Sequence, residues 1–526
     1  MGEVFANPLT ELAEYIDMKQ ALDKGKGPIQ ASGVTDSQKV HVMHELSSGR
    51  AWKLVITYDD TLARELYEDF TYFEKNSWLY PARDLLFYSS DIHGNLLTRE
   101  RLQVFRHLLE DEGGVVVTTV DGLMDHLLPL SMLHEACLSI EAGMPLDIEE
   151  IKIRLAAMGY ERMGQVDGMG QFSVRGGIID IFPLTEELPV RIELWGDEVD
   201  SIRSFDAESQ RSIQQMESVT IYPAAEVTLT KERLEAGISG IEADGKRQEK
   251  AFRDAGKHEE AHRIRTAVNE LCEALREGFD VQRLDGYIRY FCGETVSFLD
   301  YMKAAGSAGG LAVFLDEPQR MREKAETVEL EFRESMTQRL EKGYLLPGQA
   351  DLLFSAKQVL AALELPQTVF MTGLDQRLPG MTVKEKFSLT GKNVNSYQNG
   401  FELLIKDLKR WKKEGWRVVL LSASRTRASR LAGDLREYDL FAYCPEDPSR
   451  PVKPGEILVT YGKLHKGFEY PMIKFVVITE GDMFGVVKKK KRRKKTAYEG
   501  RKILSFSELA VGDYVVHEEH GLGIYR

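Results

Sequence analysis

The sequence predicts a multidomain α/β protein in which a parallel-sheet domain is interrupted by a small antiparallel β domain. Residues 53–58 and 114–120 are continuous apolar runs, the pattern of strands buried on both faces of a parallel sheet. Amphipathic helical stretches at residues 61–70 and 101–112 lie between them. Residues 171–223 instead contain short Val-, Ile- and Phe-rich runs between Gly and Pro turn signals, which indicates an antiparallel meander. A length of 526 residues allows about three to five domains.

Composition narrows the class of protein. A hydrophobic content of 43% supports packed cores, and no apolar run reaches the roughly 20 residues of a membrane span. The N-terminus has no secretory signal pattern. The four cysteines are far apart and form no CxxC pair, so we expect free thiols in a reducing cytoplasm and neither a zinc site nor disulfides. The sequence therefore predicts a cytoplasmic protein with no metal site and no membrane contact.

Charge is unevenly distributed along the chain. The formal net charge is −14, and without the eight cationic residues of 488–495 (KKKKRRKK) it becomes −22. A body this acidic is not expected to bind nucleic acid by bulk electrostatics, so any DNA contact would be local. The basic block has two open interpretations, a linker that contacts phosphates and a soluble tether between domains.

A phosphate-loop pattern precedes the first buried run but lacks two of its essential residues. Gly33 matches the first Gly of the pattern GxxxxGK[ST], and Lys39 matches its Lys. Gln38 stands in place of the second Gly, and Val40 stands in place of the Ser or Thr. A side chain at position 38 obstructs the approach of phosphate to the backbone N–H groups, and valine cannot ligate magnesium. We predict that this loop is an inactive relic.

A second half-motif lies far along the chain. The apolar run 311–318 ends in Asp316 and Glu317, as a Walker B strand would. With the damaged loop around Lys39, these carboxylates complete the outline of a degenerate nucleotide site. The sequence therefore predicts a nucleotide-binding architecture without hydrolysis, and no catalytic residue.

Alternating residues in the meander predict one distinctive face. In residues 190–195, Arg191, Glu193 and Trp195 alternate with apolar residues that would face the core. On the earlier strand, Arg175 lies on the opposite face of the sheet from Phe172. Two arginines and a tryptophan on one sheet face are typical of a protein-binding hot spot. The alternative is a solvated face with one half-covered tryptophan, since single exposed aromatics are ordinary.

The same stretch resembles the second domain of UvrB and, still more closely, the equivalent domain of the transcription-repair coupling factor family. The residues that carry the resemblance are Arg175-Gly176, 179–183 (IDIFP), 191–194 (RIEL), 197–203 (DEVDSIR) and Phe205-Asp206. In that family the domain binds UvrA, and the resemblance places Arg175, Arg191 and Trp195 in the interface. Family members often have Phe at the position of Trp195, so the resemblance there implies an aromatic side chain in the interface and not specifically a tryptophan.

The resemblance also implies the order of domains. Residues 1–137 and 228–375 would form a degenerate, UvrB-like RecA-type domain, and 138–227 the inserted UvrA-binding domain. Residues 376–487 would form a second small α/β domain, whose closing ITEGDMFG resembles the family's third domain, followed by a basic linker at 488–504. UvrB has an aromatic hairpin that stacks on damaged DNA, and the corresponding residues 78–99 contain no comparable cluster, which disfavours damage verification.

The last residues resemble the opening of the family's RNA polymerase-interacting domain, which is related to CarD. Residues 512–517 and 520–523 carry the match. His517 and His520 are three apart in a strand-and-turn setting, so they are not expected to bind metal. Residues 505–526 alone are too few to bury a core, so we expect the chain to stop inside this domain.

The resemblance implies transcription-coupled nucleotide excision repair. Intact family members displace RNA polymerase stalled at a lesion with an ATP-driven double-stranded-DNA translocase and recruit UvrA. The motor would lie downstream of residue 526, so ATP and Mg²⁺ are expected only there, and this chain would be the UvrA-recruiting adaptor portion. The alternatives are a UvrB-like ATPase subunit of the excision complex and a CarD-like polymerase-binding regulator.

Overall fold

The computed structural model describes residues 2–83, 95–228, 230–277, 281–398, 400–445, 450–485, 514–517 and 521–524. The chain divides into two compact units, Met1–Phe484 and Gly485–Arg526. In the second unit, the described residues form an antiparallel pair of strands, Tyr514–His517 and Gly521–Ile524. The basic block 488–495 and most of residues 505–526 lie outside the described residues.

The described helices of the first unit lie before and after the meander of residues 171–223. The α-helices are α1 (Gly2–Leu9), α2 (Ala13–Asp23), α3 (Asp36–Leu46), α4 (Asp60–Phe73), α5 (Asn95–Leu109), α6 (Leu130–Ala136), α7 (Ile148–Ala157), α8 (Lys231–Asp254), α9 (His258–Arg276), α10 (Ile288–Phe291), α11 (Phe298–Gly309), α12 (Pro318–Glu341), α13 (Ala356–Ala362), α14 (Phe401–Glu414), α15 (Arg425–Arg436) and α16 (Glu480–Phe484). Short 3₁₀ helices span Asp121–Leu123, Val281–Tyr287, Pro347–Ala350 and Pro471–Ile473.

Strands of the first unit form three larger sheets and one two-stranded ribbon. They are β1 (Ile29–Ser32), β2 (Trp52–Thr57), β3 (Ser77–Tyr80), β4 (Gly114–Thr119), β5 (Leu138–Glu141), β6 (Glu161–Arg162), β7 (Gln171–Arg175), β8 (Ile178–Phe182), β9 (Val190–Trp195), β10 (Glu198–Phe205), β11 (Ser212–Met216), β12 (Ser218–Ile221), β13 (Leu311–Asp316), β14 (Thr368–Thr372), β15 (Glu385–Ser388), β16 (Lys392–Asn393), β17 (Arg417–Ser422), β18 (Ala442–Tyr443), β19 (Ile457–Tyr461), β20 (Phe468–Tyr470) and β21 (Phe475–Ile478). The strands of the second unit are β22 (Tyr514–His517) and β23 (Gly521–Ile524).

The largest sheet has seven strands in the order β15-β1-β14-β13-β2-β4-β3. Every neighbouring pair in it is parallel. Its central strands β2, β4 and β13 are buried along their whole length, as their continuous apolar sequence predicts. Strands β1 to β4 precede the meander, whereas β13, β14 and β15 follow it, so the chain returns to the same sheet after the insertion.

The edge strand β15 departs from the sequence-based division of the chain. It pairs in parallel with β1, from Ile29 opposite Glu385 to Ser32 opposite Ser388. The parallel sheet therefore takes a strand from beyond residue 375, where the sequence analysis ended this domain. Residues 373–384 are therefore a connection within the domain, because they lead from β14 to β15 at the edge of the same sheet.

The meander forms a separate six-stranded sheet in the order β11-β10-β9-β8-β7-β6. Its strands from β7 to β11 pair antiparallel in succession, and only the short β6 pairs in parallel. Alternate residues such as Phe172, Ile181 and Ile192 are buried in one apolar cluster with Ile151 and Leu155 of α7. This arrangement confirms the predicted fold class, an α/β multidomain chain with a parallel-sheet domain and an inserted antiparallel β domain.

A third, mixed sheet has the order β16-β20-β21-β17-β19-β18. Alternate residues of β17 point to opposite faces of the sheet. Val418 packs in one core with α14 and α15, whereas Val419 packs in the core that includes the parallel sheet. Both faces are buried, which explains the unbroken apolar sequence of β17. The helix α14 ends at Gly415 with φ of 76°, a conformation that glycine adopts readily.

Among the described residues, no helix is long and apolar enough to cross a lipid bilayer.

Candidate partner-binding face and closed nucleotide site

Three residues singled out by the sequence, Arg175, Arg191 and Trp195, lie on one face of the meander. Arg175 is opposite Ile178, and Ile178 is opposite Glu193, so these residues share a face with Arg191 and Trp195 on β9. The tight connection between β9 and β10 contains Gly196 at φ of 66° and holds Trp195 at the end of its strand. Trp195 is 84% exposed, the most exposed large hydrophobic side chain among the described residues.

A buried carboxylate lies at the centre of this face. Asp180, on β8, has no exposed surface. Its Oδ2 accepts a hydrogen bond from Arg175 Nη2 at 2.7 Å, and its two oxygens accept from Nε and Nη2 of Arg191 at 2.7 and 2.9 Å. A bidentate arginine–carboxylate pair fixes both position and orientation. Asp180 therefore holds both arginines in place, a role that the sequence analysis missed although IIDIF places one acid among apolar residues.

Arg191 has more partners than Arg175. Its guanidinium lies 4.5 Å from the centre of the Phe205 ring, and Nη2 donates to Gln210 Oε1 at 3.1 Å. The hydrogen bonds to Asp180 raise the pKa of Arg191 above its ordinary value. The Arg191 side chain is only 15% exposed, whereas that of Arg175 is 46% exposed. Arg191 is therefore less available to a partner than Arg175, because Asp180, Phe205 and Gln210 surround its guanidinium.

This difference predicts separate stability effects for the two arginines. Arg191→Ala leaves the buried Asp180 with one cationic partner, so we expect it to lower the free energy of unfolding by about 2 kcal/mol. Arg175→Ala removes a half-exposed partner and should cost about 0.5 kcal/mol or less. Urea unfolding of the two variants measures the difference. Equal small losses would contradict the structural role assigned to Arg191.

The degenerate nucleotide site is closed by an internal ion pair. Lys39, on α3, places Nζ 2.6 Å from Asp316 Oδ1 and 2.8 Å from Glu317 Oε1. Thr57 Oγ1 donates to the other oxygen of Asp316 at 3.1 Å. Burial lowers the pKa of Lys39, but the two carboxylates outweigh burial and the net shift is upward. Lys39 is therefore a buried cation that is already neutralised by this chain.

Gln38 and Gly33 of the loop contact residues from later parts of the chain. Gln38 Nε2 donates to the carbonyl of Glu469 at 3.3 Å, and Val40 is fully buried. Gly33 adopts φ of 86°, and a Cβ added there would lie 2.0 Å from the carbonyl oxygen of Leu389. All six residues of the degenerate site are thus brought together or packed nearby, in an arrangement that leaves a triphosphate no free lysine.

We expect no binding of Mg·ATP to the intact chain in isothermal titration calorimetry. We also expect Lys39→Met to lower the free energy of unfolding by about 3–5 kcal/mol, because the variant leaves two carboxylates without their buried counterion. Denaturant unfolding measures this loss. The matched control is Lys324→Met, which changes a lysine on α12. Micromolar ATP binding that is lost in Lys39→Met would contradict the closed site.

A second buried charge cluster lies where the chain leaves the meander. Glu226 is bound by Arg101 Nε at 2.8 Å and by Arg83 Nη2 at 2.6 Å. Arg101 Nη1 also lies 3.0 Å from Asp125, and its guanidinium is 4.4 Å from the centre of the Tyr80 ring. Burial opposes ionisation of Glu226, but the two arginines outweigh burial and hold its pKa below the ordinary value. This cluster ties the end of the insertion to the parallel-sheet domain.

Potential metal ligands come together once in the described part of the chain. His107, Glu110 and Glu112 offer ligand atoms within 4.8 Å of one another. Glu110 already accepts hydrogen bonds from Arg106 Nε at 3.0 Å and from Tyr222 OH at 2.8 Å. The carboxylate is therefore engaged by a neighbouring cation, which weakens it as a metal ligand. Of the two histidines in the last segment, His520 lies outside the described residues.

Comparisons with known proteins agree with this architecture. A family model described as the UvrB interaction domain matches residues 138–226, which include the meander and its exit at Glu226. The transcription-repair-coupling factor of Bacillus subtilis (strain 168) is 33% identical over 476 residues, covering 90% of this chain and 39% of the relative. The corresponding factors of Staphylococcus haemolyticus (strain JCSC1435) and Staphylococcus aureus (strain MRSA252) are each 28% identical, over 95% and 97% of this chain.

The chain spans about two-fifths of the length of these relatives, with 39%, 42% and 43% of each covered. The matched domain model falls on the inserted sheet that carries Arg175, Arg191 and Trp195. The chain therefore belongs to the transcription-repair-coupling factor family and corresponds to the N-terminal part of its members, including the UvrB interaction domain.

Proposed function

We propose that this chain is the UvrA-recruiting part of a factor that displaces RNA polymerase stalled at DNA lesions. The observation that carries the proposal is the face of the inserted domain, where the exposed Trp195 lies on the same face as Arg175 and Arg191. Aromatic and arginine side chains supply most of the binding energy in protein interfaces. Asp180 and Phe205 hold Arg191 in one conformation before any partner arrives, which lowers the entropy cost of binding.

The parallel-sheet domain serves as a scaffold in this proposal. Its Lys39 is engaged by Asp316 and Glu317, so the domain supports the inserted sheet without using ATP. ATP hydrolysis, RNA polymerase displacement and movement on double-stranded DNA would belong to the rest of a full-length factor. The antiparallel pair of β22 and β23 suits the two strands expected at the opening of a polymerase-interacting domain.

The second candidate function is a UvrB-like ATPase subunit. It shares the parallel sheet and the inserted domain, but it needs a phosphate loop with a free lysine. The 2.6 Å contact between Lys39 and Asp316 favours the adaptor over the ATPase.

Calorimetric titration of the purified chain with UvrA tests the proposal. The intact chain should bind, and Arg175→Ala should weaken binding about 30-fold, the equivalent of a hot-spot loss of about 2 kcal/mol. Arg162→Ala is the matched control, because Arg162 is an exposed arginine on the edge strand β6 and is in register with Phe172, on the opposite face of the sheet from Arg175. Absence of binding by the intact chain, or equal effects of the two variants, would overturn the assignment of this face.

A further inference from the structure

A stripe of exposed cationic side chains runs along α14. It consists of four exposed residues, Lys406, Lys409, Arg410 and Lys413. The last three follow Lys406 by three, four and seven residues, which places all four along one side of the helix. The opposite side, which includes Leu408, is buried in the core of the mixed sheet. The cationic side therefore points away from the protein.

Three lysines of this stripe have no carboxylate within ion-pairing distance in the described part of the chain. Arg410 pairs with Asp407 at 3.0 Å, and Asp407 also accepts a hydrogen bond from Tyr397 OH. Within the described ranges, no ion pair joins a carboxylate to Lys406, Lys409 or Lys413. This concentration of free positive charge stands out in a chain whose net charge is −14.

Two exposed arginines also lie on α15. Both α14 and α15 pack on the same face of the mixed sheet, where Leu408 and Leu431 share one core. Arg430 and Arg436 of α15 are exposed, and neither has an ion pair in the part of the chain that the structure describes. The cationic surface is defined here by the four residues of α14, Lys406, Lys409, Arg410 and Lys413.

We propose that this cationic surface binds the phosphate backbone of duplex DNA. The stripe on α14 covers about 10 Å at 1.5 Å per residue, which matches about three phosphates of one strand at 3.4 Å each along the duplex axis. Binding by lysines to phosphates is independent of sequence. A duplex is the partner proposed, because a row of cations along a straight helix matches regularly spaced phosphates and this contact requires no unpaired base. The surface lies on a different domain from the candidate UvrA face.

The test is fluorescence anisotropy with a 20-base-pair duplex of mixed sequence, measured over a range of salt concentrations. The triple variant Lys406→Gln, Lys409→Gln, Lys413→Gln should weaken binding about tenfold or more and reduce the slope of log K against log salt by about 3, one for each lysine. The matched control changes three exposed lysines of α8, Lys231, Lys246 and Lys250, to Gln. It alters net charge equally and should leave affinity and slope nearly unchanged.

A second set of variants distinguishes DNA binding by the cationic surface from DNA binding by the basic block 488–495. Both triple variants are repeated in a chain whose residues 488–495 are all Gln. The proposal requires that this chain still binds duplex DNA and that only the α14 variant removes the remaining affinity. Loss of all binding before the α14 lysines are changed would overturn it, as would equal effects of the two triple variants.

Competition identifies the class of partner. Poly-L-glutamate added at equal charge concentration should displace the duplex poorly if the surface fits the phosphate backbone. Displacement at equal charge concentration would instead assign the surface to an acidic polypeptide and overturn the DNA proposal.

Discussion

Trp195→Ala is expected to weaken binding to UvrA by about 30-fold or more while leaving the denaturant midpoint of the chain unchanged. The side chain is 84% exposed, so it contributes little to folding and is available to a partner. An aromatic anchor that becomes buried on binding typically contributes about 2 kcal/mol or more to an interface. Titration calorimetry and urea unfolding of the same preparation measure the two quantities independently.

Two further variants separate a specific contact from general hydrophobicity. Trp195→Phe keeps an aromatic ring and should retain binding within about threefold, since most of the apolar contact area remains. Phe441→Ala removes an aromatic side chain that is 76% exposed on another domain, and it should leave UvrA binding unchanged. Unchanged binding in Trp195→Ala would exclude this face as the interface. Equal losses in Trp195→Ala and Phe441→Ala would point to nonspecific association.

A large loss of stability is expected for Arg101→Met. Arg101 is fully buried and is bound to Glu226 and Asp125. Removing its charge leaves Asp125 without its arginine partner and Glu226 with only Arg83, so we expect the free energy of unfolding to fall by about 3–5 kcal/mol. Equilibrium urea unfolding, monitored by far-UV circular dichroism, measures this loss.

An exposed ion pair provides the control for Arg101. Arg333, on α12, pairs with Glu329 one turn away and its side chain is 67% exposed. Arg333→Met should change the free energy of unfolding by about 0.5 kcal/mol or less, because exposed helical pairs are weak. Similar effects of Arg101→Met and Arg333→Met would show that the buried cluster does not hold the insertion to the parallel-sheet domain.

The double variant Arg101→Met, Glu226→Gln sharpens the comparison. Removing both members of the pair avoids leaving Glu226 as a buried charge, so part of the stability lost in Arg101→Met should be recovered. A purely additive loss would indicate that the two side chains act independently.

Local patterns were sufficient to predict the elements of this protein and the composition of its candidate face. Continuous apolar runs predicted the buried strands β2, β4 and β13, and alternating residues predicted the meander and the outward direction of Trp195. These predictions succeed because the periodicity of side chains along a strand depends only on neighbouring residues. The damaged phosphate loop was likewise evident from residues 33–40 alone.

Contacts between distant residues were decided only by the tertiary structure. Arg191 is covered because Asp180, Phe205 and Gln210 come from other strands or turns, and burial of this kind has no periodic signature. Lys39 pairs with Asp316, which is 277 residues away in the sequence. The two residues meet because Lys39 follows β1 and Asp316 ends β13, and both strands belong to the same parallel sheet. The sequence alone thus determined which residues could bind a partner or a nucleotide. Folding determined which of them remain available, because each buried charge must be paired inside the protein.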